Sequence, residues 1–122
     1  MKAKILLVEG KRAESPSFLI GLTRKGFQVE SVPNGSAALA RLAEELPHLV
    51  IVNAPSMRTS GKRICQSLRD QVNALPIVLI VDAAAGNMNK VDASVVLTLP
   101  FTLQKLVNRI RPLLPALDQK DL

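Results

Sequence analysis

The segment "HLVIVNAPSMRTSGKRIC" (residues 48–65) runs four apolar residues, Leu49 to Val52, directly into Asn53-Ala54-Pro55-Ser56. A continuously apolar run of this length predicts a strand covered on both faces, as in a parallel sheet layered by helices. The strand stops on a short polar side chain, an irregular loop follows, and a helix is predicted from about Ser60, with Ile64, Cys65 and Leu68 inward. Such strand–loop–helix junctions commonly present reactive groups. Here the group presented is the Asn53 amide, which is neither a base, a nucleophile nor a strong metal ligand.

The pattern repeats outward from this segment. Apolar runs at Ile5–Val8 and Ile77–Val81 are also continuous, and Val95–Thr98 is a shorter one. Phe27-Gln28-Val29-Glu30-Ser31-Val32 alternates instead, which predicts an edge strand with one wetter face. Helical patterns lie between the strands. Ser15 can cap a first helix, with Pro16 at its first position, Phe18, Leu19 and Leu22 on one face, and Gly26 at its end. Asn34 caps a second helix, with Ala38, Leu39 and Leu42 inward and Pro47 beyond it. Thr102 caps the last, with Leu103, Leu106, Val107 and Ile110 inward and Pro112 closing it. The segment between Asp82 and Ser94 has little periodicity for the helix due there. Strands alternating with helices predict an α/β, doubly wound, five-stranded parallel sheet, because parallel strands need crossovers. Function in such sheets gathers at the carboxyl ends of the strands.

Composition narrows the function classes. A chain of 122 residues with 48% apolar residues forms a single domain with a real core. No apolar run approaches the length of a membrane span, and Met1-Lys2-Ala3-Lys4 leads into a strand too short for a signal-peptide core. A single cysteine, Cys65, excludes an internal disulfide and fits a reducing, cytoplasmic setting. The net charge is +6, with an isoelectric point of about 10.0. Sixteen basic residues are dispersed along the chain, and three phenylalanines are its only aromatic residues. Stacking on single-stranded nucleic acid is therefore disfavoured, and only charge-based duplex contact remains as an alternative.

Five stretches resemble the receiver domain of bacterial response regulators: "ILLVEG" (5–10), "GFQVESVPNGSAALARL" (26–42), "LVIVNAPSMRTSGKRICQSLR" (49–69), "LPIVLIV" (75–81) and "VVLTLPFTLQKLVNRI" (95–110). The resemblance implies a flavodoxin-like sheet of strand order 2-1-3-4-5 over residues 1–115, with 116–122 a tail or the start of a linker. It places Asn53 at the phospho-acceptor aspartate, Glu9 and Gly10 at the acidic pair, and Val81 at the reporting hydroxyl. Val96 falls at the switch aromatic, Leu99 at the phosphoryl-binding lysine, and Gly61 at the loop glycine.

A receiver of this family accepts a phosphoryl group with Mg²⁺ bound by its acidic residues. The resemblance therefore implies a degenerate, pseudo-receiver type with no enzyme activity and no Mg²⁺. The chain is expected to act as a protein-interaction module in two-component phosphorelay signal transduction, with a protein partner or a fused output domain. Alternatives are a receiver regulated by a phosphoryl group or cation through substituted residues, and a basic module contacting DNA. Partner identity and oligomeric state are not legible in the chain.

Two departures from the family stand out. Pro16 delays the first helix, and the Val81-to-Leu99 segment is shorter than usual by roughly one helical turn, about 4 residues. The Leu99–Pro100 bond is expected to be cis, as the matching bond in receivers is. The remaining candidates carry plain expectations. Glu9 is expected beside a cation such as Lys11, Arg12 or Arg58, His48 on the surface, and Cys65 inert in the core. Asp82 could replace a missing acid but stands on the next loop, without a nearby partner in sequence.

Overall fold

The computed structural model describes residues 2–11, 18–83 and 91–114. Strands β1 (Lys4–Glu9), β2 (Gln28–Val32), β3 (Leu49–Asn53), β4 (Ile77–Val81) and β5 (Val95–Thr98) form one parallel sheet in the order β2-β1-β3-β4-β5. Four α-helices connect or follow them among the described residues: α1 (Phe18–Arg24), α2 (Gly35–Glu44), α3 (Gly61–Gln71) and α4 (Leu103–Ile110).

The burial of each strand follows from its sequence pattern. Every residue of β3 and of β4 is buried, as their unbroken apolar runs require. In β2 only Val32 is buried, which fits its alternation and its place at the sheet edge. Alternation of side chains across the strands then separates two cores. Leu7, Ile51 and Ile80 meet Leu22 of α1 and Leu106, Val107 and Ile110 of α4 on one face. Val8, Val52 and Leu79 meet Ala38 and Leu42 of α2 and Ile64, Cys65 and Leu68 of α3 on the other. Each fully buried Leu or Ile contributes roughly 1.5–3 kcal/mol of transfer free energy, so the sheet and its two helical layers stand or fall together.

The caps lie where the sequence places them. Asn34 accepts a hydrogen bond from Ala37 N at 2.8 Å, and Thr102 accepts one from Lys105 N at 3.1 Å. Caps of this kind contribute about 1 kcal/mol each. Ser60 precedes α3 without a side-chain cap bond. Gly26, at φ +99°, follows α1. The expected Ser15 cap and Pro16 lie outside the described residues. So does most of the segment between Asp82 and Ser94, of which 91–94 adopts no helix.

Arg69, in the last turn of α3, anchors that stretch. Its guanidinium donates to Asp92 Oδ1 at 3.1 Å, to the Asn73 carbonyl at 2.8 Å and to the Leu75 carbonyl. The lead-in to β5 is thereby tied to the turn before β4.

Candidate functional site

Parallel pairing of β1 with β3 sets Glu9 opposite Asn53 at the carboxyl end of the sheet. Asn53 is 6% exposed, and its Nδ2 donates to Glu9 Oε2 at 3.0 Å. Turning the amide over would face its oxygen to the carboxylate, two acceptors with no proton between them, so Glu9 fixes the amide's orientation. Asn53 Oδ1 is left buried, with no hydrogen-bond partner among the described residues. Of the cations expected beside Glu9, Arg12 lies outside the described residues; a neighbour that the structure shows is the Asn53 amide, which the sequence pattern does not place there.

The turn after β3 closes over the tip of β1. Ala54–Ser56 form a 3₁₀ turn with Pro55 near its start, and Ser56 is buried. The Ser56 hydroxyl donates to the Asn53 carbonyl at 2.6 Å and accepts from Gly10 N at 2.9 Å. A Cβ on Gly10 would lie 2.6 Å from the Ser56 carbonyl oxygen and 2.9 Å from Met57 Cγ. Gly61 is held to glycine in the same way, since a Cβ there would meet Ala54 Cβ and Leu79 Cδ1, each at 2.7 Å.

Val81 at the end of β4 is buried, while Val96 on β5 and Leu99 just beyond it are partly buried. Val81 and Val96 pack with the α2–α3 cluster, while Leu99 packs with the α1–α4 cluster. Leu99 N donates to the Val81 carbonyl at 2.7 Å, extending the sheet ladder one step beyond β5. The Leu99–Pro100 peptide is cis. Phe101 follows and stacks on Phe18, with ring centroids 5.6 Å apart. Asp82 is exposed at the start of the next segment. The structure thus brings Glu9, Gly10, Asn53 and Ser56 into direct contact, and leaves Val81, Val96 and Leu99 as hydrocarbon packing beside them.

His48 and Cys65 lie away from this cluster. His48 is half-buried rather than on the surface. Its Nδ1 accepts from Lys4 N at 2.8 Å, and its own backbone N donates to the Lys4 carbonyl at 2.8 Å. The ring therefore substitutes for a ladder partner where β1 and β3 begin. Cys65 is fully buried, and burial pushes its thiol up to about 12. Among the described residues, no group of three or more His, Cys, Asp or Glu could hold a metal ion, and no helix is long and apolar enough to cross a membrane.

Ser56 and Arg69 organise this structure without having been singled out in the sequence. Ser56 stood in view three residues beyond Asn53, but nothing in the chain says that its hydroxyl faces Gly10. Arg69 reaches Asp92 across 23 residues, a separation with no local signature.

Comparison with known proteins agrees with the geometry. The chain is 31% identical over 118 residues to response regulator MprA of Mycolicibacterium vanbaalenii, covering 93% of this chain and 51% of that protein. Among solved structures, chemotaxis response regulator CheY4 of Vibrio cholerae superimposes with a TM-score of 0.78 at 21% identity, covering 93% of this chain and 100% of that one. The chain is thus similar in sequence to response regulators, and it shares the fold of CheY4. The receiver domain of a signal transduction histidine kinase from Syntrophus aciditrophicus is a further match, with a TM-score of 0.75 at 21% identity over 91% of this chain and 89% of that one. At that identity the solved structures speak for the fold alone. No family model matches the chain. It spans about half the length of the curated relatives it matches.

Proposed function

We propose that this receiver domain is a phosphorylation-independent pseudo-receiver. It acts as a cytoplasmic protein-interaction module in bacterial two-component signal transduction and catalyses no reaction itself. The observation that carries this reading is the Asn53–Glu9 hydrogen bond. The acceptor position holds an amide with no nucleophilic oxygen, and that amide occupies an oxygen of the carboxylate beside it. Phosphoryl transfer relies on positioning and on neutralising charge at the transferred group. Leu99 offers no cation for the phosphoryl oxygens, and Val81 offers no hydroxyl to report their arrival.

The donor set also fits Mg²⁺ poorly. Mg²⁺ prefers octahedral oxygen ligands that usually include carboxylates. Glu9 is the one carboxylate at the β1 tip, and the space for a side chain on Gly10 is taken by the Ser56 carbonyl and Met57. In this reading the domain works through its surface, on a separate protein or on a fused output domain. The greater length of its relatives is compatible with such a fusion.

The test is intact-mass spectrometry after incubation with a small-molecule phosphodonor and Mg²⁺. The expected result is no added phosphoryl group on the parent chain; stoichiometric addition would overturn the reading. A second reading, regulation by a cation through substituted groups, draws on the buried Asn53 Oδ1 that lacks a partner. Saturable Mg²⁺-dependent shifts of the Glu9 and Asn53 amide resonances would favour it.

A further inference from the structure

Two clefts meet at the carboxyl end of the sheet, beside the Glu9–Asn53 contact. One, of about 380 Å³, lies between the loops that follow β1, β2 and β3. The other, of about 180 Å³, lies between the amino ends of α2 and α3. They share Asn34, Gly35 and Thr59 as walls and so form one bent groove. Among the described residues, the charged ones on its walls are Lys11, Arg58 and Arg63, all cations. All three are exposed, and no ion pair among the described residues involves them. Glu9, the residue before the groove begins at Gly10, already accepts from Asn53.

A third cleft, bounded by β1, β2 and α2, shows the contrast. Its charged residues are Lys4, Glu30, Arg41 and Glu45, and they neutralise one another: Arg41 Nε lies 2.7 Å from Glu30, and Lys4 is paired with Glu45. The excess positive charge of this chain is therefore not spread evenly over its concave surface. In the groove beside the former acceptor position it has no ion-pair partner among the described residues.

We infer that this groove binds a small polyphosphate, two or more phosphates in series, held by Lys11, Arg58 and Arg63. Three cations spread over two joined clefts suit a chain of phosphates better than a single anion, because each cleft supplies its own charged wall. Arginine offers a planar fork of donors matched to phosphate oxygens, and Lys11 a mobile point charge. The amino end of α2 at Gly35 adds a favourable dipole without making the site. No aromatic residue lines the groove, so a nucleobase finds no stacking partner there. Recognition is directed at the phosphates. The inference goes beyond the pseudo-receiver reading and does not depend on it: a groove of cations binds phosphates whether or not Asn53 accepts a phosphoryl group.

Isothermal titration of the full chain with inorganic tripolyphosphate at physiological ionic strength tests it. The expected result is saturable one-to-one binding. Lys11→Gln, Arg58→Gln and Arg63→Gln should each weaken it about fivefold, the scale of an exposed charge–charge contact. Arg24→Gln and Arg109→Gln, on the α1–α4 side of the sheet, should leave it unchanged. Amide shifts on titration should cluster at Gly10, Asn34, Gly35 and Thr59. Absence of saturable binding by the parent would overturn the inference. Equal weakening by Arg24→Gln or Arg109→Gln would do so too, because diffuse surface charge would then be the cause. Tighter binding of duplex DNA than of tripolyphosphate through the same three residues would replace it with nucleic-acid contact.

Discussion

Gly10 N and the Ser56 hydroxyl are joined at 2.9 Å, and the Ser56 carbonyl oxygen lies only 2.6 Å from where the Cβ of any other residue at position 10 would sit. The loop after β3 is thus latched onto the tip of β1 by the residue that lacks a side chain. The latch leaves no room for a side chain at position 10. An aspartate placed there would have to displace the backbone of residue 56 before it could reach a cation.

Gly10→Ala is accordingly expected to destabilise the fold by about 1–3 kcal/mol, the range for forcing an extra carbon into a packed site. Ser56→Ala should cost a similar amount, on the order of 1–3 kcal/mol, because it deprives Gly10 N of its acceptor and the Asn53 carbonyl of its donor. Urea denaturation of both single variants and the double variant measures this. Strongly additive losses would show that the two residues do not act through one contact.

Asn53→Asp sets two carboxylates where an amide now donates to Glu9. The lost hydrogen bond and the like-charge contact should cost roughly 1–3 kcal/mol at neutral pH. The repulsion raises one carboxyl pKa of the pair in the folded state above its unfolded value. A group raised in this way favours folding while protonated, and that contribution disappears as pH climbs through its folded pKa. The deficit relative to the parent should therefore shrink on acidification from neutral pH. A deficit independent of pH would rule out charge repulsion. Without a cation at position 99, the variant should also remain unphosphorylated by a small-molecule donor with Mg²⁺.

Arg69→Ala releases the lead-in to β5 from the turn before β4. The Arg69 side chain is only 12% exposed, and it serves carbonyls as well as Asp92. Its removal should cost about 1–3 kcal/mol, with orphaned acceptors as the main cause. Arg69→Lys should recover only part of this, because one ammonium cannot reproduce the forked contacts. Thermal melts, with amide exchange at Ile77 and Val95, report the loss.

Cys65 carries an alkaline signature. Burial holds its thiol at about 12, against an ordinary value of 9.0. Above pH 9 the unfolded chain loses this proton while the folded chain keeps it, so stability falls as pH rises towards about 12. There is no tyrosine to titrate in that window. Cys65→Ala should flatten the decline, and the native thiol should resist alkylation at neutral pH until the protein is unfolded.

Much of this architecture is local information. The unbroken apolar runs of β3 and β4 announce strands covered on both faces, and the alternation of β2 announces an edge. Asn34 and Thr102 mark helix starts because a cap bonds an amide only three residues away. Asn53, Gly10, Val81 and Leu99 could be placed for the same reason: each stands at or just past the end of a recognisable strand. Their consequences could not be read in the same way. Glu9 meets Asn53 across 44 residues through the parallel register of β1 on β3, and Gly10 meets Ser56 across 46 through the turn that leaves β3. Arg69 clasps Asp92, and His48 replaces a ladder partner for Lys4, by approaches of the same kind. Side-chain pattern specifies which face a residue takes, since alternation and helical pitch are properties of a single segment. Which residues share that face is decided when separate segments are brought into register, and that depends on the packing of the whole sheet.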